Sequence, residues 1–319
     1  MCAIRQAQIL CCVVTLMFLA YPHHIDSQTT ANQAATTYGL RVSVDEVLLT
    51  FHAADAQGLP VNNLKLDELI LSDNGKPPRK ILAFESLQNL PLRVGILIDT
   101  SDSMSQDLAS NETIATRYSQ HLLHQTTDQA FVMKFSALSE ITQPWTADSN
   151  ALNSGIRKFA ATRANHIRGT GLFNALYQAC LNQLGHVDYP GTGNLILLFT
   201  DGEENASNAS LRNVIDACQH ANTAIYAFRP ESKSSFSTGP ATLTELAMQT
   251  GGRVFHSDDS EAAIDTDLRT IEADRRNQYR LIYKPAELIP NGSFHHINLK
   301  VPERVTNLDI RSGYYAPHS

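Results

Sequence analysis

The chain has 319 residues, enough for about two domains. Its hydrophobic content of 43% and charged content of 18% are those of a globular protein. The net charge is −7 without a basic stripe, which excludes a general nucleic-acid binder.

Residues 1–27 read as a secretory signal. Arg5 supplies the positive region, and Ile9 to Tyr21 is an apolar stretch too short to span a bilayer comfortably. Cys11 and Cys12 lie inside that stretch, so no lipoprotein anchor is read. An uncleaved N-terminal anchor is the alternative, and no transmembrane span is expected after signal cleavage. Residues 28–37 read as a polar, disordered spacer. Three of the five cysteines leave with the signal. Cys180 and Cys218 remain at apolar helical positions, as buried thiols or as a disulfide.

A small β unit follows, over 38–91. Tyr38 to Phe51 shows partial apolar alternation. Leu69 to Leu71, Asp73-Asn74-Gly75 and Lys80 to Phe84 together read as a hairpin, because Asn-Gly is the strongest short hairpin signal. From Arg93 the pattern changes to the strand–helix alternation of a parallel sheet. Val94 to Ile98, Ala130 to Phe135, Leu195 to Thr200, Ala224 to Phe228 and Arg253 to Phe255 read as its strands. Glu140 to Trp145 reads as an antiparallel neighbour. Helices are expected around Ile114 and Tyr118, around Leu152, Ile156 and Phe159, over Leu172 to Leu184, and around Val214 and Leu243. Gly251-Gly252 stops the Leu243 helix. Asp258 and Glu261 are expected to cap a last helix, to about Asn277. The chain then reverts to β over 278–319, with strands at Gln278 to Tyr283, Phe294 to Val301 and Leu308 to Tyr315.

The strand Val94 to Ile98 stops at Asp99, Ser101 and Ser103. Three oxygen-bearing side chains at alternate positions then sit where a strand becomes a loop. Loops past the carboxyl ends of strands bind ligands in open α/β sheets. Mg²⁺ wants oxygen ligands in octahedral geometry and tends to keep some waters. The same residue types also make turns and helix caps. Gly169-Thr170-Gly171 precedes one helix, and Thr200-Asp201-Gly202-Glu203-Glu204 ends the Leu195 strand.

With these three stretches in this order, the chain resembles the von Willebrand factor type A domain and its metal-ion-dependent adhesion site. Asp99, Ser101 and Ser103 match the first metal loop, Thr170 the threonine loop and Asp201 the second aspartate loop. The resemblance covers about residues 92–277 and extends to secreted bacterial proteins that carry the domain between β-rich flanks. It implies an α/β fold with a doubly wound, mostly parallel, Rossmann-like sheet, inserted into a small split β domain formed by 38–91 and 278–319. It also implies Mg²⁺ or Mn²⁺ held by Asp99, Ser101, Ser103, Thr170 and Asp201. Asp102, Gly169 and Glu203 would form the ligand-binding rim. Many members have Gly where this chain has Asp102, which adds a negative charge there.

The expected function is a non-enzymatic, secreted or periplasmic module of the cell envelope. It would bind a protein or peptide whose acidic side chain completes the metal's coordination. The alternatives are a structural envelope module with a vestigial metal site and a metal-dependent hydrolase, for which Glu203 is the sole candidate base. No Gly-x-Ser-x-Gly or phosphate-binding loop is present. Glu203 and Glu204 read either as a second ion site or as an acidic helix entry. His121 with His124, and His295 with His296, read as solvated or packing side chains.

Overall fold

The structure is a computed structural model that describes residues 45–158, 168–185, 191–230, 237–257 and 260–317. The signal, the spacer, Phe159 and Asp258 lie outside these residues. β1 (Val47–Ala54) buries alternate side chains at its start. The hairpin expected next is a turn alone. Asn74 and Gly75 adopt φ of 48° and 76°. The turn closes by Asp73 N to Lys76 O at 2.8 Å and Lys76 N to Asp73 O at 3.0 Å. β2 (Ile70–Asp73) and β3 (Lys80–Leu87) then part into different sheets. Pro77 and Pro78 have no N–H to donate, so the ladder cannot continue past the turn.

β4 (Leu92–Asp99) is buried at every position, as its continuous apolar run requires. It leads into α1 (Leu108–His121), β5 (Gln129–Phe135), β6 (Ser139–Thr146) and α2 (Ser149–Arg157). α3 (Leu172–Gln178) continues as a π-helical turn, Ala179–Leu184. β7 (Gly193–Phe199), α4 (Leu211–His220), β8 (Thr223–Arg229), α5 (Gly239–Thr250), β9 (Val254–His256) and α6 (Glu261–Arg276) complete the run. The six strands lie in the order β6-β5-β4-β7-β8-β9, and only β6 is antiparallel. This is the mostly parallel, doubly wound α/β sheet expected. α1, α2 and α6 supply the core on one face, and α3, α4 and α5 on the other. β4 pairs with β5 on one side and β7 on the other. The winding therefore reverses at β4, and the crevice beyond its carboxyl end is the switch point of the sheet.

Gly251, at φ 76°, ends α5 as its position predicts. At α6 the cap is Ser260, whose hydroxyl accepts from Ala263 N at 3.4 Å. The expected cap by Glu261 is corrected: it is the first helical residue, where its charge complements the helix dipole. At the other end of α6, Arg276 is buried against Asp128 at 2.8 Å and also donates to Leu90 O and Leu122 O. Burial opposes ionisation of Asp128, but Arg276 and three backbone N–H donors hold its carboxyl below the usual range.

β10 (Gln278–Lys284) follows α6 through Asn277 alone, and β11 (Phe294–Lys300) comes next. The single strand expected over Leu308–Tyr315 is two, β12 (Asn307–Ile310) and β13 (Gly313–Tyr315), in different sheets. Between them Ser312 N is drawn to Met248 O of α5 at 3.2 Å, which takes the backbone out of the ladder. The sheets are β12-β1-β10-β3 and β13-β11-β2, both antiparallel. Among the described residues, each strand before β4 pairs with strands after α6. Phe51, Leu71, Tyr279, Leu281 and Leu299 share one core between the two sheets. Arg253 joins this layer to the α/β layer, reaching Asp309 of β12 at 2.6 Å and Asp274 of α6 at 3.3 Å.

Cys180 and Cys218 form a disulfide that ties the end of α3 to α4. The sequence separation is 38 residues, for which loop-closure entropy gives about 4 kcal/mol of stabilisation. Chemical denaturation with and without reductant checks this. The midpoint should fall on reduction, and the double variant Cys180→Ala with Cys218→Ala should no longer respond.

Candidate functional site

Loops from the ends of β4, β5 and β7 meet at the switch point. The register aligns Ile98 with Phe199 and Asp99 with Phe135, so Asp99 and Thr200 leave neighbouring strands side by side. Asp99 is fully buried. Its Oδ2 accepts from Thr200 Oγ1 at 2.6 Å and its Oδ1 from Ser101 N at 2.8 Å. A 3₁₀ turn over Asp102–Met104, anchored by buried Met104, folds the chain back after Ser101. Ser101 Oγ and Ser103 Oγ lie 3.2 Å apart. Asp102 is exposed on this turn.

Asp201 Oδ1 accepts from Glu203 N at 3.0 Å. Gly202 between them has φ 84°, and a Cβ there would meet Gly239 O at 2.5 Å. The loop therefore passes directly under the start of α5. Glu203 is a hydrogen-bond acceptor for Ser237 Oγ.

Thr170 is buried, with both of its backbone groups engaged. Its N–H donates to Asn205 Oδ1 at 2.8 Å, and its carbonyl accepts from Asn205 N and Ala206 N at 3.0 and 3.1 Å. Its side-chain hydroxyl is the polar group left to offer. Gly169 has φ 118°, and a Cβ there would press on Asn205 Oδ1 at 2.8 Å. Gly171 N binds Ser136 O past the end of β5 at 2.7 Å. Glu204 accepts from Phe173 N in the first turn of α3, from Ala206 N, and from Ser207 N and Oγ. Its oxygens are thus taken by the protein. Of the two readings of this acidic pair, an ion site or a helix entry, Glu204 is nearer the second, because its carboxylate joins the loops at the start of α3.

The first loop and Asp201 thus share one end of the sheet, and the Thr170 loop is bonded to the Asp201 loop. The sequence reading gave no role to Thr200 or Asn205. Thr200 was visible as a hydroxyl closing an apolar strand. Asn205 sits in a polar loop where no spacing singles it out, and Glu204 was singled out for its charge but not for the loop contacts it makes.

Burial pushes the Asp99 carboxyl up to about 6. The Thr200 and Ser101 hydrogen bonds act against this rise, and the charge of Asp201 adds to it. The arrangement is electronegative: among the described residues, the charge that bears on Asp99 is that of Asp201. Among the described residues no three His, Cys, Asp or Glu side chains gather as a metal-holding group. The oxygens at this end of the sheet come largely from hydroxyls.

A doubly wound sheet with these three loops at its switch point is the architecture of a type A domain. The family model of the von Willebrand factor type A domain matches residues 94–270, and the chain belongs to this family. Domains of this family commonly mediate protein–protein adhesion. No curated protein sequence matches the chain. Several solved structures are similar. BatB from Bacteroides thetaiotaomicron is 17% identical with a TM-score of 0.45, over 56% of this chain and 97% of that one. Proximal thread matrix protein 1 from the mussel byssus, with a zinc-occupied adhesion-site motif, is 16% identical with a TM-score of 0.45. That match covers 59% of this chain and 48% of that one. A von Willebrand factor type A protein from Catenulispora acidiphila is 13% identical with a TM-score of 0.44, over 85% of this chain and 72% of that one.

The raised Asp99 carboxyl gives a signed expectation for the metal-free protein. A carboxyl that titrates near 6 when folded and near 3.8 when free in water favours the folded state at low pH. That contribution is full below the unfolded value and is lost as pH rises through about 6. It is worth about 3 kcal/mol. In chelator, Asp99→Asn should be more stable than wild type at pH 8, and the advantage should shrink toward pH 4. Thermal denaturation of both proteins across that range checks it.

Proposed function

We propose that the chain is a secreted or periplasmic module of the cell envelope that binds a protein or peptide partner through Mg²⁺ or Mn²⁺. Asp99, Ser101, Ser103, Thr170 and Asp201 would hold the ion, directly or through water. The observation that carries this reading is the buried Asp99 carboxylate, beside Asp201 and met only by hydroxyl and amide donors. A hard cation suits that oxygen set. Two carboxylates and three hydroxyls leave room for an acidic group from a partner. Asp102, Gly169 and Glu203 would shape the rim, and the charge on Asp102 would disfavour a partner with several acidic side chains. The Cys180–Cys218 disulfide supports an oxidising compartment, and no described helix is long and apolar enough to cross a membrane.

The hydrolase reading is weaker, because its candidate base, Glu203, is engaged by Ser237 and serves the loop. The structural-module reading needs no partner and leaves the metal site vestigial or purely stabilising. We also propose that residues 92–277 form the type A domain, inserted between 38–91 and 278–319. The pairing of β1 with β10 and of β2 with β11 supports this division.

Calorimetric titration should show one Mg²⁺ or Mn²⁺ per chain, lost in Asp99→Ala. Saturation at 100 times the dissociation constant should stabilise the fold by about 2.7 kcal/mol. Capture of an envelope partner by the wild type in Mg²⁺, but not in chelator, supports the adhesion reading. Metal binding without chelator-sensitive capture favours the structural module. Deleting residues 278–319 should expose 45–87 to proteolysis, since β1, β2 and β3 would lose their pairing strands.

A further inference from the structure

A second polar centre lies among the flanking strands, away from the switch point. Asp73 ends β2 and is 3% exposed. Its Oδ2 accepts from the hydroxyls of Tyr283 and Tyr314 at 2.8 and 2.7 Å. Its Oδ1 meets His295 Nδ1 at 2.7 Å. A carboxylate on one ring nitrogen fixes that nitrogen as the N–H donor. The other nitrogen, Nε2, is then the atom His295 has to offer. Arg311 is close enough for its charge to bear on Asp73 and on both tyrosines. The buried carboxylate is therefore already offset, and the imidazole is not needed as its counter-charge.

His295 is itself 6% exposed. It lines a cavity of about 130 Å³ together with Asp73, whose carboxylate is taken up by the tyrosine hydroxyls and the imidazole, and with Asn74, Lys76, Glu287, Ile289, Asn291 and Ser293. The polar groups there are mostly donors. Asn74 Oδ1 accepts from His296 N at 2.9 Å, and Asn291 Oδ1 accepts from Ser293 N at 2.9 Å. Each asparagine is left with its amide NH₂. The Ser293 hydroxyl and the Lys76 ammonium add further donors. The one carboxylate at the mouth, Glu287, is bonded to Lys76 at 2.6 Å, and both side chains are more than half exposed. An exposed pair of this kind contributes little and yields readily to a competitor.

We propose that this cavity binds a small oxyanion, a phosphate or carboxylate group, in which Asn291, Ser293 and Lys76 donate to the anion and Glu287 is the internal carboxylate it displaces. The volume has room for several waters, which suits such a group and is below that of drug-sized pockets. The Asp73 cluster supplies the rigid wall. It holds the imidazole at its far nitrogen, so the ring need not reorganise when the anion enters. The site is independent of the metal reading, because it shares no residue with it.

The test is a chemical-shift titration of the intact ¹⁵N-labelled protein with inorganic phosphate and, separately, with acetate at constant ionic strength. Saturable shifts at the Asn74 and Asn291 side-chain amides and at Ser293 N–H are expected with at least one anion. Phosphate alone indicates a phosphorylated ligand, and acetate alone a carboxylate ligand. Asn291→Asp keeps the acceptor for Ser293 N and exchanges only the donor for a negative charge. It should weaken binding by about tenfold or more, and Glu287→Gln should strengthen it. Absence of saturable shifts with both anions overturns the proposal. So does an Asn291→Asp variant, folded by its amide spectrum, that binds as tightly as the wild type.

Discussion

The Asp99 carboxylate is fully enclosed at the end of a strand that is buried at every position. An isolated charge in that position is expensive, so it is either protonated or given a partner. The surroundings do part of this work with neutral dipoles from Thr200 and Ser101. They also make it harder by setting Asp201 nearby. A fold selected for stability alone would not keep two carboxylates at the crossing point of its sheet. A divalent cation is the simplest way to offset both.

The remaining structure fixes the loops that carry these oxygens. Asn205 bonds both backbone groups of Thr170. Glu204 reaches across from the Asp201 loop to the first turn of α3. Asn174 in α3 returns the contact by accepting from Asn208 N and Ala209 N. The two loops therefore behave as one piece, and the helices that follow them are joined by the disulfide. Their freedom to move apart is small, so the donor set is preorganised before any ligand arrives. On the other face, α6 is fixed at one end by Arg276 and Asp128 and runs into β10 without a spacer. Arg253, between Asp274 and Asp309, joins the same region to the flanking sheets.

The sheet was legible in the chain because its central strands are buried and its helices amphipathic. Val94 to Ile98 and Leu195 to Phe199 announce themselves by unbroken apolar runs, and their abrupt ends mark Asp99 and Asp201. The flanks were harder, because their strands pair across more than 200 residues and local signals do not encode that register. Asn74-Gly75 gave the right turn and the wrong ladder, because the strand after it is captured by β10 once Pro77 and Pro78 break the pairing. The pull of α5 on Ser312, which divides the last strand, has no local signature. His295 looked like a packing histidine, and only its distant partner Asp73 distinguishes it. The roles of Asn205 and Glu204 were hidden for the same reason, since what they do depends on a loop more than 30 residues away.

The central claim is that a cation sits between Asp99 and the partner, with a coordination position open to exchange. Water-proton relaxation in the presence of Mn²⁺ reads that position directly, because bound manganese that keeps exchangeable water enhances the relaxation rate. The account predicts a saturable enhancement with one Mn²⁺ per chain, absent in Asp99→Ala and quenched when an acidic peptide or the captured partner takes the water's place. A wild type that shows no enhancement, or an Asp99→Ala variant that shows the same enhancement, would contradict it.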